Sequence, residues 1–343
     1  MIRVGVLLLL LFLSGCSTNQ PKIFQLENAV LSDVWPAGSE IPRYRYVGEL
    51  YGESLEGSIS AQTIFEKIIG LIQGAPEALT LKRPYDLYVS PERFVYVADL
   101  ALPGVMVFNL NDNTVVVWDE IDNKTSFQAP VGIVGAENDI LVVDTKLAKV
   151  FRFSSNGALL GAFGSETLKR PIGIAYDSNK KQVYVSDATL HTVQVFSLNG
   201  EYITSIGGYG EALGDFNYPS AIEFNHNKLY VSDTMNARIQ IIDPSNLEKE
   251  IESFGYRGLN VGNTPRPKGV TVDEDGNVYA VESYYGYVLV YNEQGNFLLS
   301  ISAKGRSMGE FYLPSGVTMD DKSRIYLADT FNGRVIILQY LGN

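Results

Sequence analysis

The chain has 343 residues, 45% hydrophobic and 19% charged, a globular balance that excludes bulk disorder. Its formal net charge is −12, and removing the N-terminal stretch that carries Arg3 makes it −13, which excludes general binding to nucleic-acid phosphates. Beyond that stretch no uninterrupted apolar run reaches spanning length, which excludes a transmembrane helix there.

The chain opens on Arg3, an apolar run from Val4 to Leu13, and then Leu13-Ser14-Gly15-Cys16. Charge, short apolar core and small residues in that order read as a secretory signal peptide over 1–15. Leu-Ser-Gly-Cys resembles the lipobox of bacterial lipoproteins. The resemblance implies that Cys16, the only cysteine, is diacylated, so that the mature chain meets a membrane through its N-terminal lipid alone. Ser17, where an Asp commonly retains lipoproteins at the inner membrane, implies the outer membrane of the cell envelope. Residues 16–42 have little periodicity and read as lipidated N-terminus and tether. Residues 43–50, Arg43-Tyr44-Arg45-Tyr46-Val47-Gly48-Glu49-Leu50, read as a strand with no neighbour in sequence. Residues 51–83 form an insertion in which Ala61 to Gln73 predicts one short amphipathic helix. Its Ala61, Ile64, Phe65, Ile68, Ile69, Leu71 and Ile72 share an arc of about 160°. Ser60 is placed to cap it, and Gly74 and Pro76 to stop it.

From residue 84 to 343 the sequence restarts six times. Pro84, Pro130, Pro171, Pro219, Pro267 and Pro314 each precede a short apolar strand. A second strand then closes on Asp99, Asp144, Asp187, Asp233, Glu282 or Asp329. Six residues beyond each acid a third strand starts, at Val105, Val150, Val193, Ile239, Val288 and Val335. Asp99 and Asp329 lie five repeats apart, so the mean period is 46 residues, within the range of propeller blades. The second strands are apolar on both faces, as Tyr96, Leu141, Tyr184, Tyr230, Tyr279 and Tyr326 are flanked by Val, Ile, Leu or Ala, and a blade packed between two neighbours requires this. Fourth strands follow in five copies, but the sixth ends at Asn343, too early to supply one. An open edge is a liability, so the strand at 43–50 is expected to complete the last blade. The fold class is therefore all-β: a six-bladed β-propeller closed by an N-terminal strand, with one short helix before the first blade.

Arg170-Pro171-Ile172-Gly173-Ile174 with Val183-Tyr184-Val185-Ser186-Asp187 resembles an NHL repeat. So does Tyr230-Val231-Ser232-Asp233-Thr234-Met235-Asn236-Ala237-Arg238-Ile239-Gln240. The resemblance covers residues 84–343 and implies a six-bladed propeller, while saying little about function.

In such a ring the links entering each first strand and those between second and third strands share one end, the usual ligand face. It carries Tyr85 and Asp86, Val131, Ile172, Ser220, Lys268 and Ser315, the residues after the prolines. Two departures from the repeat mark a candidate ligand face. Asp86 stands where other copies place Gly or Ala, and Ser283-Tyr284-Tyr285-Gly286-Tyr287 replaces a Thr-x-Asn link. Tyr85, Asp86, Lys268, Tyr284 and Tyr285 are accordingly the candidates for holding an envelope protein, a peptide or a glycan. The plainer role for Tyr284 and Tyr285 is to cover the adjacent blade. The repeated acids read as turn-closing groups, with Arg238 and Arg334 as partners for Asp233 and Asp329, because residues with one job in every blade are architectural. No metal site and no cofactor are expected. His191 and His226 are the only histidines, too few for a zinc centre of several imidazoles, which counts against likeness to the zinc-dependent propeller lyase of hydroxyglycine peptides. There is no Gly-x-Ser-x-Gly elbow and no phosphate loop. The reading is a non-catalytic, lipid-anchored binding or scaffold protein of the cell envelope, its propeller monomeric. The alternative is a cation-dependent, lactonase-like hydrolase or lyase with Asp86, and with it Asp99, as channel ligands.

Overall fold

The computed structural model describes residues 24–26, 34–36, 41–52, 79–249, 251–302, 304–307 and 309–342. Cys16, the signal peptide, most of the tether and the predicted helix at Ala61–Gln73 lie outside the described residues. Three N-terminal strands come first, β1 (Phe24–Leu26), β2 (Val34–Trp35) and β3 (Tyr44–Leu50). Blade one is β4 (Pro84–Val89), β5 (Phe94–Asp99), β6 (Gly104–Asn109) and β7 (Thr114–Trp118). The short hairpin β8 (Glu120–Asp122) and β9 (Thr125–Ser126) leads into blade two. That blade is β10 (Pro130–Ala136), β11 (Asp139–Asp144), β12 (Lys149–Ser154) and β13 (Leu159–Phe163). Blade three is β14 (Pro171–Asp177), β15 (Gln182–Asp187), β16 (Thr192–Ser197) and β17 (Tyr202–Ile206). Blade four is β18 (Pro219–Asn225), β19 (Lys228–Asp233), β20 (Arg238–Ile242) and β21 (Glu252–Phe254). Blade five is β22 (Pro267–Val272), β23 (Val278–Glu282), β24 (Tyr287–Tyr291) and β25 (Phe297–Ile301). Blade six takes β26 (Val317–Met319), β27 (Arg324–Asp329) and β28 (Arg334–Tyr340) from the C-terminal end.

The fourth strand of blade six is β3, paired antiparallel to β28 from Val335↔Leu50 to Tyr340↔Tyr44. The expected N-terminal closure is therefore present. Alternation drives it: Tyr44, Tyr46 and Leu50 are buried while Arg45 between them is exposed. Arg334 fixes the seam. Its Nε donates to Asp329 at 2.8 Å, its Nη1 to Glu49 of β3 at 2.8 Å, and its Nη2 to the carbonyls of Ser307 and Glu310. β1 and β2 lie along the outer edge of β3 and cover it.

Six apolar clusters fill the spaces between neighbouring blades. The second strands are buried on both faces throughout, as the sequence pattern requires. In blades one to five the repeat proline opposes the acid across the first strand pair, and in each a β-bulge or register shift follows the proline. Proline has no N–H to offer a ladder, so the first position of a strand suits it. The irregularity re-aims the next two residues toward the ring axis.

Candidate functional site

Each repeated acid is fully buried and ties two links together. Asp99 accepts from the backbone N–H groups of Lys82 and Arg83 on one side and of Ala101 and Leu102 on the other, at 2.7–3.0 Å. Asp144 does the same with Gln128, Ala129, Lys146 and Leu147, and Asp187 with Lys169, Arg170, Thr189 and Leu190. Asp233 and Asp329 replace part of that set with Arg238 and Arg334. The acid column is architectural. Its reach is wider than expected, since it fixes the link entering the first strand as well as its own turn. Asp99 is corrected as a channel ligand: its oxygens face four N–H donors, not the axis.

The channel wall is made by the positions just after the prolines. Tyr85, Asp86, Val131, Ile172, Ser220, Lys268 and Ser315 all line it, and they leave a volume of about 20 Å³ between them, enough for one water molecule. The narrowness has a backbone cause. A Cβ on Gly132 would lie 2.4 Å from the Ile172 carbonyl oxygen of the next blade, and one on Gly173 or Gly269 as close to Ser220 or Ser315. At the second position after the proline, Asp86 is the one residue larger than Ala. Its Oδ2 accepts from Ile133 N–H of blade two at 3.1 Å, and its Oδ1 fills the space beside Gly316 of blade six. Burial pushes its carboxyl up to about 7, against the lowering effect of N–H donation from Ile133 and Leu87.

Glu223, on the first strand of blade four two positions beyond the channel-lining Ala221, is a titratable group that sequence reasoning missed. Burial first, and the Asp86 charge second, push it up to about 8. Its carboxyl has no hydrogen bond or ion pair among the described residues. The signal was available: four positions after the proline the column reads Tyr88, Val134, Ala175, Glu223, Thr271, Thr318, with one acid.

The five candidate residues fall into two groups. Lys268 and Tyr85 meet at the channel mouth, with Nζ 3.4 Å from the phenol oxygen and 5.7 Å from the ring centre, beside Asp86. Tyr284 and Tyr285 sit farther out, packed edge-to-face at 4.9 Å. They end a continuous cation–aromatic ladder. Lys304 lies over Tyr284 at 5.3 Å and over Tyr312 at 5.7 Å, and Arg306 lies over Tyr312 at 5.2 Å. Tyr312 meets Phe331 edge-to-face at 5.9 Å, and Arg83 lies over Phe331 at 4.8 Å. The ladder joins blades five, six and one. Its three cations have no ion pair among the described residues. His191 accepts from Tyr218 N–H through Nδ1 and packs on Tyr209, a structural engagement. Among the described residues no group of three or more His, Cys, Asp or Glu is placed to hold a metal ion.

No family model matches the chain. It is 28% identical over 264 residues to NHL repeat-containing protein 2 of Gallus gallus, covering 70% of this chain and 31% of that protein. It is 26% identical over 150 residues to protein brain tumor of Drosophila melanogaster, covering 43% and 13%. The chain thus spans less than a third of the length of these relatives. Among solved structures, a protein of unknown function from Bacteroides thetaiotaomicron aligns with a TM-score of 0.60 at 18% identity, over 76% of this chain and 70% of that one. Virginiamycin B lyase from Staphylococcus aureus aligns with a TM-score of 0.54 at 15% identity, over 76% and 96%. An auxiliary nutrient binding protein from Bacteroides ovatus aligns with a TM-score of 0.56 at 12% identity, over 75% and 69%. At these identities the solved structures show fold alone, and one architecture serves enzymes and binding proteins alike. The sequence likenesses and the six-bladed ring together support an NHL-type β-propeller.

Proposed function

We propose that this chain is a lipid-anchored binding protein of the cell envelope. It holds a protein, peptide or glycan on the channel-end face and has no catalytic role of its own. The observation that carries the reading is the ladder from Arg83 to Tyr285, because it breaks the sixfold repeat and leaves three cations without carboxylate partners. Aromatic and arginine side chains grouped in this way are the usual anchors of recognition surfaces. Anchoring rests on Leu13-Ser14-Gly15-Cys16, and it is compatible with the described residues, where no helix is long and apolar enough to cross a membrane. NHL-type and nutrient-binding propellers among the similar proteins suit a binding role. The test is in-cell cross-linking and capture with native chain and a Tyr284→Ala, Lys304→Ala, Arg83→Ala variant. One envelope ligand captured natively and lost in the variant is expected; equal capture by both overturns the choice of face. Mass spectrometry of the mature N-terminus checks acylation of Cys16.

A second reading is a cation-dependent hydrolase or lyase, favoured by the channel carboxyl Asp86 and by Glu223 within range of its charge, both raised by burial. Stoichiometric calcium or zinc in protein purified without added metal would select it over the first.

A further inference from the structure

At the end of the ring opposite the prolines, a cleft of about 680 Å³ opens between blades one and two, a size that suits a small organic ligand. Four aromatic side chains form its wall. Tyr88 stacks on Tyr96 at 6.0 Å, Phe94 lies 6.3 Å from Tyr96, and Trp118 lies 5.5 Å from Tyr96. The set breaks the repeat twice. Where blade one has Phe94, the other copies have Asp139, Gln182, Lys228, Asn277 and Arg324, all polar. Tyr88 stands in a column with no other aromatic, and Gly135 of blade two makes room for it, since a Cβ there would lie 2.2 Å from the Tyr88 ring. The equivalents of Gly135 are Val89, Tyr176, Phe224, Val272 and Met319, all large. An exchange of bulk between neighbouring blades at one point in the ring is not a demand of the fold.

The polar rim is acidic. Of its three carboxylates, Asp139 is paired with Arg152 and Glu137 with Lys181, whereas Glu92 has no ion pair among the described residues. Glu92 acts on both phenols, adding to burial in raising Tyr88 and in pushing Tyr96 up to about 12. Electron-rich ring faces and an uncompensated carboxylate on the same wall both favour positive charge. We propose that the cleft between blades one and two binds an organic cation, an ammonium or guanidinium group carried on an apolar body. The site is independent of the channel-end face and opens on the other side of the molecule.

The test is calorimetric titration of the full chain with benzyltrimethylammonium, with benzyl alcohol as neutral analogue and chitotriose as neutral sugar, following tryptophan fluorescence in parallel. Saturable binding of the cation is expected, with a change in Trp118 emission and affinity for benzyl alcohol at least roughly tenfold weaker. Glu92→Gln changes an exposed turn residue and retains the fold, as circular dichroism will verify; it weakens cation binding by roughly fivefold. Gly135→Val displaces Tyr88 and abolishes the response. Absence of saturable binding, equal affinity for alcohol and cation, or preference for chitotriose overturns the proposal.

Discussion

Asp86 lines a channel with room for one water molecule, and Glu223 lies within range of its charge. A carboxyl whose folded pKa is raised keeps a proton that the unfolded chain has already released. Stability therefore falls as pH rises from about 4 through about 7 to 8, and the cost is full above that window. Asp86→Asn and Glu223→Gln are each expected to raise the midpoint of thermal unfolding by a few degrees near pH 8 and to change it little near pH 4. Melting curves at the two pH values check this. A lower midpoint at pH 8 would mean that the ionised carboxyls have a stabilising cation, and would favour the enzymatic reading. The repeated acids are the contrasting case. Asp187, with backbone N–H donors on two links, is expected to cost roughly 2–4 kcal/mol on replacement by Ala in urea denaturation, because those donors would be left buried and unpaired.

At the scale of the element, the seam between β3 and β28 concentrates two kinds of force. Burial of Tyr44, Tyr46 and Leu50 is apolar, while Arg334 joins Asp329, Glu49 and two carbonyls within one guanidinium's reach. Arg334→Met is expected to destabilise by about 3–5 kcal/mol, since it strands the buried carboxylate of Asp329 and the partly buried one of Glu49. In that background Glu49→Gln should recover part of the loss, and a double-mutant cycle measures the coupling. These elements were legible in sequence because strand period, proline, acid and the six-residue step recur in every copy. The closing strand was legible as well, because blade six lacked a fourth strand and Tyr44, Tyr46 and Leu50 share one face. The candidate site was only half legible. Tyr85, Asp86 and Lys268 follow from repeat position, but Tyr284 meets Lys304, and Phe331 meets Arg83, only because links from adjacent blades fold over one another. Nothing local in the sequence sets that proximity. The aromatic cleft was missed for another reason: Phe94 and Gly135 are ordinary residues until set beside their equivalents in the other five blades.

At the scale of the whole molecule, symmetry and its violations have different owners. What recurs maintains the ring: six inter-blade cores, six acid knots and, in four blades, a channel glycine. What does not recur lies at two opposite ends, the cationic ladder spanning blades five, six and one, and the acidic aromatic cleft between blades one and two. If both proposals hold, opposed charge at opposed ends gives an acidic protein two separate binding sites. Rising salt is expected to weaken binding at both, because exposed charges are screened, and titrations at two ionic strengths check it.

The seam also sets a schedule. Five blades are built from strands close in sequence, but Arg43 must find Gly342, 299 positions away, before the last blade exists. Contacts this distant form late, after the local sheets have shortened the loop between them. A chain interrupted before β28 holds five sound blades and an orphaned Tyr44, Tyr46 and Leu50, a greasy strand with no partner. That apolar face of β3 is therefore covered only once β28 has been made.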